Sequence, residues 1–304
     1  MRERGSNVNK GLLFILGTAL ISGVSIFLNA FGVSGLNPFA FTGMKNLIVA
    51  IFLISVILLA TRARELRSLS LKQWGYLSLI GLIGGSVPFL LFFKGLSMGS
   101  GAAGAFMHKT MILWVTLGAL LFLKERMNWK IILGAAALLV GNFLLLKLSG
   151  IALSEGLVYT FIAALLWSGE VLVSKHMLKD FSGSTVAFGR MGIGAAIILV
   201  FLMVSGRLTS VLSWSANAWG WVLMTSLFLL GYVWTFYNGL KLVNASTAVA
   251  VLSLGSVITS VLQLAFLGKA FTPGQIVGLV LLAVGVAVFW WLQRGLSWAG
   301  PIKA

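Results

Sequence analysis

Cysteine is absent from the 304 residues, so no disulfide, thiolate metal site or cysteine nucleophile can form. Acids are nearly as scarce. Six occur (Glu3, Glu65, Glu125, Glu155, Glu170 and Asp180), with two histidines, which leaves little material for hydrolytic or metal chemistry. Charged residues make up 9% of the chain, whereas a solvated surface needs about a quarter. A water-soluble domain is thereby excluded, and a soluble accessory domain with it, because apolar runs recur along the whole length with short interruptions. The nucleotide-binding pattern G-x-x-x-x-G-K-[ST] is also missing, so the driving force for any transport falls to an ion or solute gradient.

What is present is hydrophobic: 59% of residues are apolar, and the mean hydropathy is +1.04. Runs of about 20 residues, enough to cross a hydrocarbon core of about 30 Å, predict membrane helices near 11–30, 40–60, 74–97, 102–123 and 129–148. Five more fall near 156–177, 184–205, 217–241, 246–267 and 273–293. Arg2, Arg4 and Lys10 precede the first run as they would in a signal peptide, but its length and the nine spans behind it predict a retained helix.

A formal charge of +16 in a soluble chain would suggest nucleic acid; in a membrane chain the question is where the basic residues sit. With the amino terminus inside, the inner segments hold Arg2, Arg4, Lys10, Arg62, Arg64, Arg67, Lys72, Lys124, Arg126, Lys130, Lys175, Lys179, Lys241, Arg294 and Lys303. The outer loops hold only Lys147, Arg207 and Lys269. That imbalance predicts both termini in the cytoplasm of a multi-pass cell-membrane protein, in a prokaryote the cytoplasmic membrane, with no nucleic-acid partner.

The chain also repeats itself. Sliding it by 144 residues lays Leu120, Phe122, Leu123, Ile132, Gly134, Leu138, Val140 and Gly141 onto Leu264, Phe266, Leu267, Ile276, Gly278, Leu282, Val284 and Gly285. A slide of 145 carries Lys45 onto Arg190. Because each unit holds an odd number of spans, the second enters the membrane inverted, the commonest plan of secondary transporters, with substrate held near midplane between the halves. The predicted organisation is an all-α integral membrane protein: a cytoplasmic segment 1–10, five-helix repeats 11–150 and 151–294, and a cytoplasmic tail 295–304.

The stretches LFLKERMNWKIILGAAALLVG (121–141) and AFLGKAFTPGQIVGLVLLAVG (265–285) resemble the paired signature of the drug/metabolite transporter superfamily, EamA branch. The resemblance covers nearly the whole chain. It implies ten helices, both termini inside, and a central cavity lined mainly by helices 1, 3, 4, 6, 8 and 9. The substrates it implies are amino acids, amines, nucleosides, sugars or drugs. The chain departs from the pattern in carrying Lys269 where the first repeat has Glu125, and in lacking the proline usual in helices 4 and 9, around Met111 and Ile112 and around Gly255 and Ser256. Gly255 remains as a point of bending.

Ionisable groups within a bilayer are costly unless they pair, snorkel or face water, so they are the default functional candidates. Lys109 lies about 5 Å from the centre of its span and Glu170, the one acid within any span, is about as deep. Lys175 lies off Glu170's helix face, so Glu170 must find a partner on another helix, with Lys109 the first candidate, directly or through water or substrate. Lys45, Lys94, Lys175 and Arg190 form a secondary set whose bland reading is snorkelling or pairing with carbonyls and headgroups. His108 alone is more often a packed or hydrogen-bonded histidine, with a site role beside Lys109 as the alternative. On helix 8, Trp234, Tyr237, Asn238 and Lys241 share a face that reads as an interfacial belt or as a cavity wall. Trp167 and Trp114 complete a set suited to an organic ammonium through cation-π contact, or to an amphoteric molecule offering a carboxylate to Lys109.

These observations lead to a non-enzymatic secondary transporter, an exporter or exchanger of a small polar or zwitterionic metabolite such as an amino acid or amine. The bilayer, that substrate, and protons or another coupling ion would be its partners, and no cofactor or metal is expected. An intramembrane enzyme would need more than one deep acid, and a facilitative channel would need a filter that no segment resembles.

Overall fold

A computed structural model describes residues 2–32, 35–59, 63–98, 101–125, 128–148 and 154–298, and no strand occurs among them. The inner-loop residues Arg62 and Arg126, and Lys303 of the tail, lie outside the described residues. Apolar side chains leave backbone amides in lipid with no partner but their own helix, which is why these segments are helical. In order they are α1 (Arg2–Gly32), α2 (Pro38–Leu59), α3 (Leu71–Met98), α4 (Gly101–Lys109 and Met111–Leu123) and α5 (Trp129–Leu145). There follow α6 (Glu155–Met177), α7 (Gly183–Val204), α8 (Ala216–Leu242), α9 (Ala245–Leu267) and α10 (Pro273–Trp298). Among the described residues nine of these are long and apolar enough to cross a membrane. The exception is α5, with 17 residues, which stops short of the 129–148 expected because Lys147 takes a left-handed conformation (φ 54°) that a helix cannot continue through.

Helix ends recur at matching places in the two repeats. Lys124 closes α4 with φ 55° and Gly268 closes α9 with φ 63°. After each, the next amide reaches back six residues, Glu125 N–H to the Ala119 carbonyl at 3.0 Å and Lys269 N–H to the Gln263 carbonyl at 3.4 Å, so the left-handed residue folds the chain back over the last turn in both. The missing prolines do not leave these helices unbroken. α4 is interrupted at Thr110 and α9 at Ser253, where the hydroxyls hydrogen-bond the preceding turn's carbonyls, Thr110 Oγ1 to Met107 O at 2.7 Å and Ser253 Oγ to Val249 O at 3.3 Å.

Packing crosses between repeats: α1 lies on α8 and its counterpart α6 on α3, while α4 lies on α6 and α9 on α1. α5 and α10 run antiparallel in contact. A methyl on Gly141 would sit 2.9 Å from the Gly278 carbonyl oxygen, and one on Gly285 would sit 2.9 Å from that of Gly134. The repeated glycines are therefore crossing points, each meeting the other's counterpart. A tighter crossing joins α3 to α7. Each helix carries a π-helical turn there, Gly81–Ser86 and Gly189–Ile193, and a methyl on Gly85 would fall 1.9 Å from the Arg190 carbonyl oxygen.

Because backbone, rather than a movable side chain, occupies that space, Gly85→Ala must push α3 off α7. It should lower detergent-extracted thermal stability by about 1–3 kcal/mol or prevent folding. Gly17→Ala, in α1 where a methyl meets nothing within 4 Å, should be neutral or mildly stabilising. Melting curves read by size exclusion compare the two, and equal behaviour would disprove the crossing.

Candidate functional site

Between the helices lies a cavity of about 450 Å³, within the range of small-molecule sites. Eight helices line it. α1 supplies Ser22, Ser25 and Asn29; α3 supplies Phe89, Phe92 and Phe93; α4 supplies His108 and Lys109; α6 supplies Trp167 and Glu170. Lys45 of α2, Arg190 of α7, Tyr232 and Phe236 of α8 and Ser253 of α9 complete the polar and aromatic wall, while α5 and α10 contribute nothing to it. α2 and α7 thus join the six helices that the resemblance implied. On α1, α3 and α4 the lining residues lie toward the α1–α2 and α3–α4 connections, whereas on α6, α8 and α9 they lie toward the α6–α7 and α8–α9 connections, so the cavity sits in the middle of the bundle between the two sets of helices.

Its floor is a buried polar cluster assembled by the π-helical turn of α3. Gly84 has no side chain to separate α3 from α6; a methyl there would lie 2.2 Å from Glu170 Cγ. The Gly84 carbonyl receives Trp167 Nε1 at 3.0 Å and Arg190 Nε at 3.3 Å, and the Gly85 carbonyl receives Asn46 Nδ2 at 3.0 Å. Glu170, 1% exposed, accepts from Tyr237 Oη at 2.6 Å and Ser174 Oγ at 2.5 Å on one oxygen, and lies 3.6 Å from Arg190 Nη1 through the other. Arg190 also donates to Tyr237 Oη at 3.4 Å. Three helices, α6, α7 and α8, are joined through one carboxylate, whose desolvation is tolerable only because both oxygens are engaged. Glu170 does find a basic partner on another helix, but it is Arg190 rather than Lys109.

Lys109 faces the cavity and makes no hydrogen bond or ion pair with a described residue. Lys45 donates to Asn29 Oδ1 at 2.8 Å, and its ammonium lies 5.1 Å from the centre of the Phe41 ring. His108 is packed edge-on among rings, 5.0 Å from Trp167 and 6.0 Å from Phe92 between centroids. Lys94 is exposed, as snorkelling requires.

The remaining candidates lie off the cavity. Trp114 donates to Thr110 Oγ1 at 3.2 Å and packs on Phe161. Trp234 is 44% exposed and meets Phe14, while Asn238 donates to the Trp234 carbonyl at 2.7 Å. Tyr237 is fully buried behind the wall and acts only through Glu170 and Arg190. α8 turns a different face inward, Leu229, Tyr232 and Phe236, because which side of an apolar helix meets the cavity depends on its neighbours rather than on its own pattern. The polar row Ser22, Ser25 and Asn29 on α1, spaced by three and four residues in an apolar span, is the sequence signal that marks the cavity-facing side of that helix.

The end of the bundle that holds the α4–α5, α6–α7 and α8–α9 connections is tied shut at helix termini. Glu125 accepts from Ala245 N at 2.6 Å and Ser246 Oγ at 2.6 Å, capping α9, and Glu65 accepts from Ser182 N at 2.6 Å at the start of α7. Lys175 donates to the Leu240 and Val243 carbonyls, both at 2.6 Å, where α8 ends, and Lys241 to Phe181 O at 2.8 Å. Each charge has the sign that the helix end prefers. Lys269, which occupies Glu125's place in the second repeat, cannot cap in the same way.

A cycle of variants tests the identity of the pair. Glu170→Met or Arg190→Met alone should cost about 3–5 kcal/mol, the usual result of stranding one member of a buried pair. The two together should recover much of it, whereas Glu170→Met with Lys109→Met should recover none. Recovery with Lys109 instead would overturn the observed partnership.

Comparison with known proteins agrees with this architecture. The chain is 25% identical over 285 residues to YyaM of Bacillus subtilis, described as an uncharacterized transporter, covering 90% of this chain and 91% of that one. It is 23% identical over 302 residues to an uncharacterized transporter of Clostridium kluyveri, covering 91% and 92%. A solved structure titled only as the crystal structure of a protein shares the fold, with a TM-score of 0.76 at 19% identity over 95% of this chain and 99% of the other. The family model of EamA-like transporters matches twice, at residues 9–147 and 154–291. The chain is thus a multi-pass protein of the cell membrane that belongs to the EamA-like transporter family of the drug/metabolite transporter superfamily.

Proposed function

We propose that the chain is a secondary active transporter with ten crossings in two inverted five-helix halves, both termini cytoplasmic, which exports or exchanges a small polar metabolite by alternating access. The observation that carries this reading is a central cavity closed at one end: polar, charged and aromatic groups from α1 to α4 and from α6 to α9 line the middle of the bundle, and helix caps tie one end of it. α5 is the tenth crossing; at 1.5 Å per residue it spans about 26 Å, little short of the hydrocarbon core. With both termini inside, the tied end is cytoplasmic, and the lining of α1, α3 and α4 reaches toward the other end, so the cavity faces outward. Turning inward requires Glu125, Glu65 and Lys175 to release the ends of α9, α7 and α8. A few charge-assisted bonds at helix ends suit that purpose, because water can replace them.

Glu170 is the coupling residue in this reading. A proton on its carboxyl removes the charge that holds Arg190 and loosens α6 from α7 at the cavity floor, so occupancy of the cavity and the grip between helices become linked. Lys109, His108 and Trp167 border the same space and contact the substrate.

Two measurements check the proposal. Proteoliposomes loaded with unlabelled amino acids and organic acids, then diluted into trace labelled counterparts, should show a transient overshoot of label inside. Equilibration without overshoot would identify a pore. Glu170→Gln keeps an acceptor for Tyr237 and Ser174, so it should stay folded and exchange label while the pH dependence of net flux falls at least tenfold. Wild-type pH dependence in that variant would remove Glu170 from coupling.

A further inference from the structure

The charges in the cavity do not balance, and the imbalance points to a substrate class. Three cations line the cavity, Lys45, Lys109 and Arg190, with Glu170 the one acid among the lining residues. Arg190 is spent on that acid at 3.6 Å, and Glu170's oxygens are further occupied by Tyr237 and Ser174. What faces an incoming molecule is therefore two ammonium groups and no free carboxylate. Lys45 has an amide oxygen at 2.8 Å and a ring below it, both neutral, and Lys109 has no hydrogen-bonded or ionic partner among the described residues.

An ammonium held within a bilayer without a counter-charge is unfavourable, and low-dielectric walls focus its field into the space that it faces. The same field repels an amine. Beside Lys109, His108 packs on Trp167 at 5.0 Å, and Trp167 in turn packs on Phe89 at 5.2 Å and Phe92 at 5.4 Å. An apolar ring wall thus begins where the charge ends.

We propose that the site takes an organic anion with a flat apolar body, its charged group on Lys109 with Lys45 adding to the field, and its body against Trp167, Phe89 and Phe92. This rests on the carrier reading and narrows it, setting aside the amine that a free Glu170 would have attracted.

Benzoate, benzylammonium and benzyl alcohol share one ring and differ in charge, so they serve as probes of the purified full-length protein. Benzoate should raise the melting temperature and change tryptophan fluorescence saturably, benzylammonium should do neither, and benzyl alcohol should bind at least tenfold more weakly. Lys109→Met, which removes an unpaired charge and should fold, is expected to weaken benzoate at least tenfold; Lys109→Arg should restore most of the loss. No saturable response to benzoate, a response to benzylammonium as strong, or an unchanged Lys109→Met overturns the assignment. Counterflow of labelled benzoate is read separately. Lys109-dependent binding without counterflow would leave the anion site standing and fail the carrier, whereas counterflow of amino acids untouched by benzoate would do the reverse.

Discussion

The contact on which the rest of the site depends is the meeting of α3 and α7 at Gly85 and Gly194. There the backbones touch, since a methyl on either glycine would overlap main-chain atoms of the other helix. Only that approach brings α7 near enough to α6 for Arg190 to reach Glu170. It coincides with π-helical turns in both helices, and at α3 the turn offers the Gly84 and Gly85 carbonyls to side chains of α2, α6 and α7. In lipid no water stands ready to satisfy a carbonyl or a guanidinium, so these groups satisfy one another. The aromatic wall follows from the same arrangement, because the Trp167 bond to Gly84 fixes the indole against which Phe89, Phe92 and His108 pack.

Symmetry and its violations divide the labour. The features that recur after about 144 residues are scaffold: the glycine crossings of α5 and α10, the left-handed ends of α4 and α9, and the hydroxyl-bonded breaks within them. The features that fail to recur are charged. Arg190 grips a carboxylate where its counterpart Lys45 holds an amide, and Glu125 is matched by Lys269. A symmetric frame with asymmetric charges suits a carrier, since the frame supplies two related shapes and the charges distinguish the two sides.

Much of this was legible in advance, and the misses share a cause. The membrane class and the apolar spans follow from composition and from the length of the apolar runs. From the sequence Arg190 reads as pairing with carbonyls or headgroups, because depth along its own helix says nothing of what a crossing helix brings beside it. Of the two readings of the α8 face that Trp234, Tyr237 and Asn238 share, the cavity wall is not the one found, because the helix is rotated so that Leu229, Tyr232 and Phe236 look inward. Helices α4 and α9 lack the usual proline and are nonetheless interrupted, at Thr110 and Ser253, whose hydroxyls bond the preceding turn.

By itself the sequence determined that this chain lives in a membrane, is helical, is built twice over and carries few deep charges. Those properties are set by transfer free energy and by the need of each backbone amide for a partner, both local along the chain. The tertiary structure alone decided which charge meets which, since pairing depends on helix rotation and on backbone crossings between residues more than a hundred positions apart. The result is a carboxylate already taken by Arg190 and a lysine left facing the cavity, an arrangement that no reading of separate helices contains.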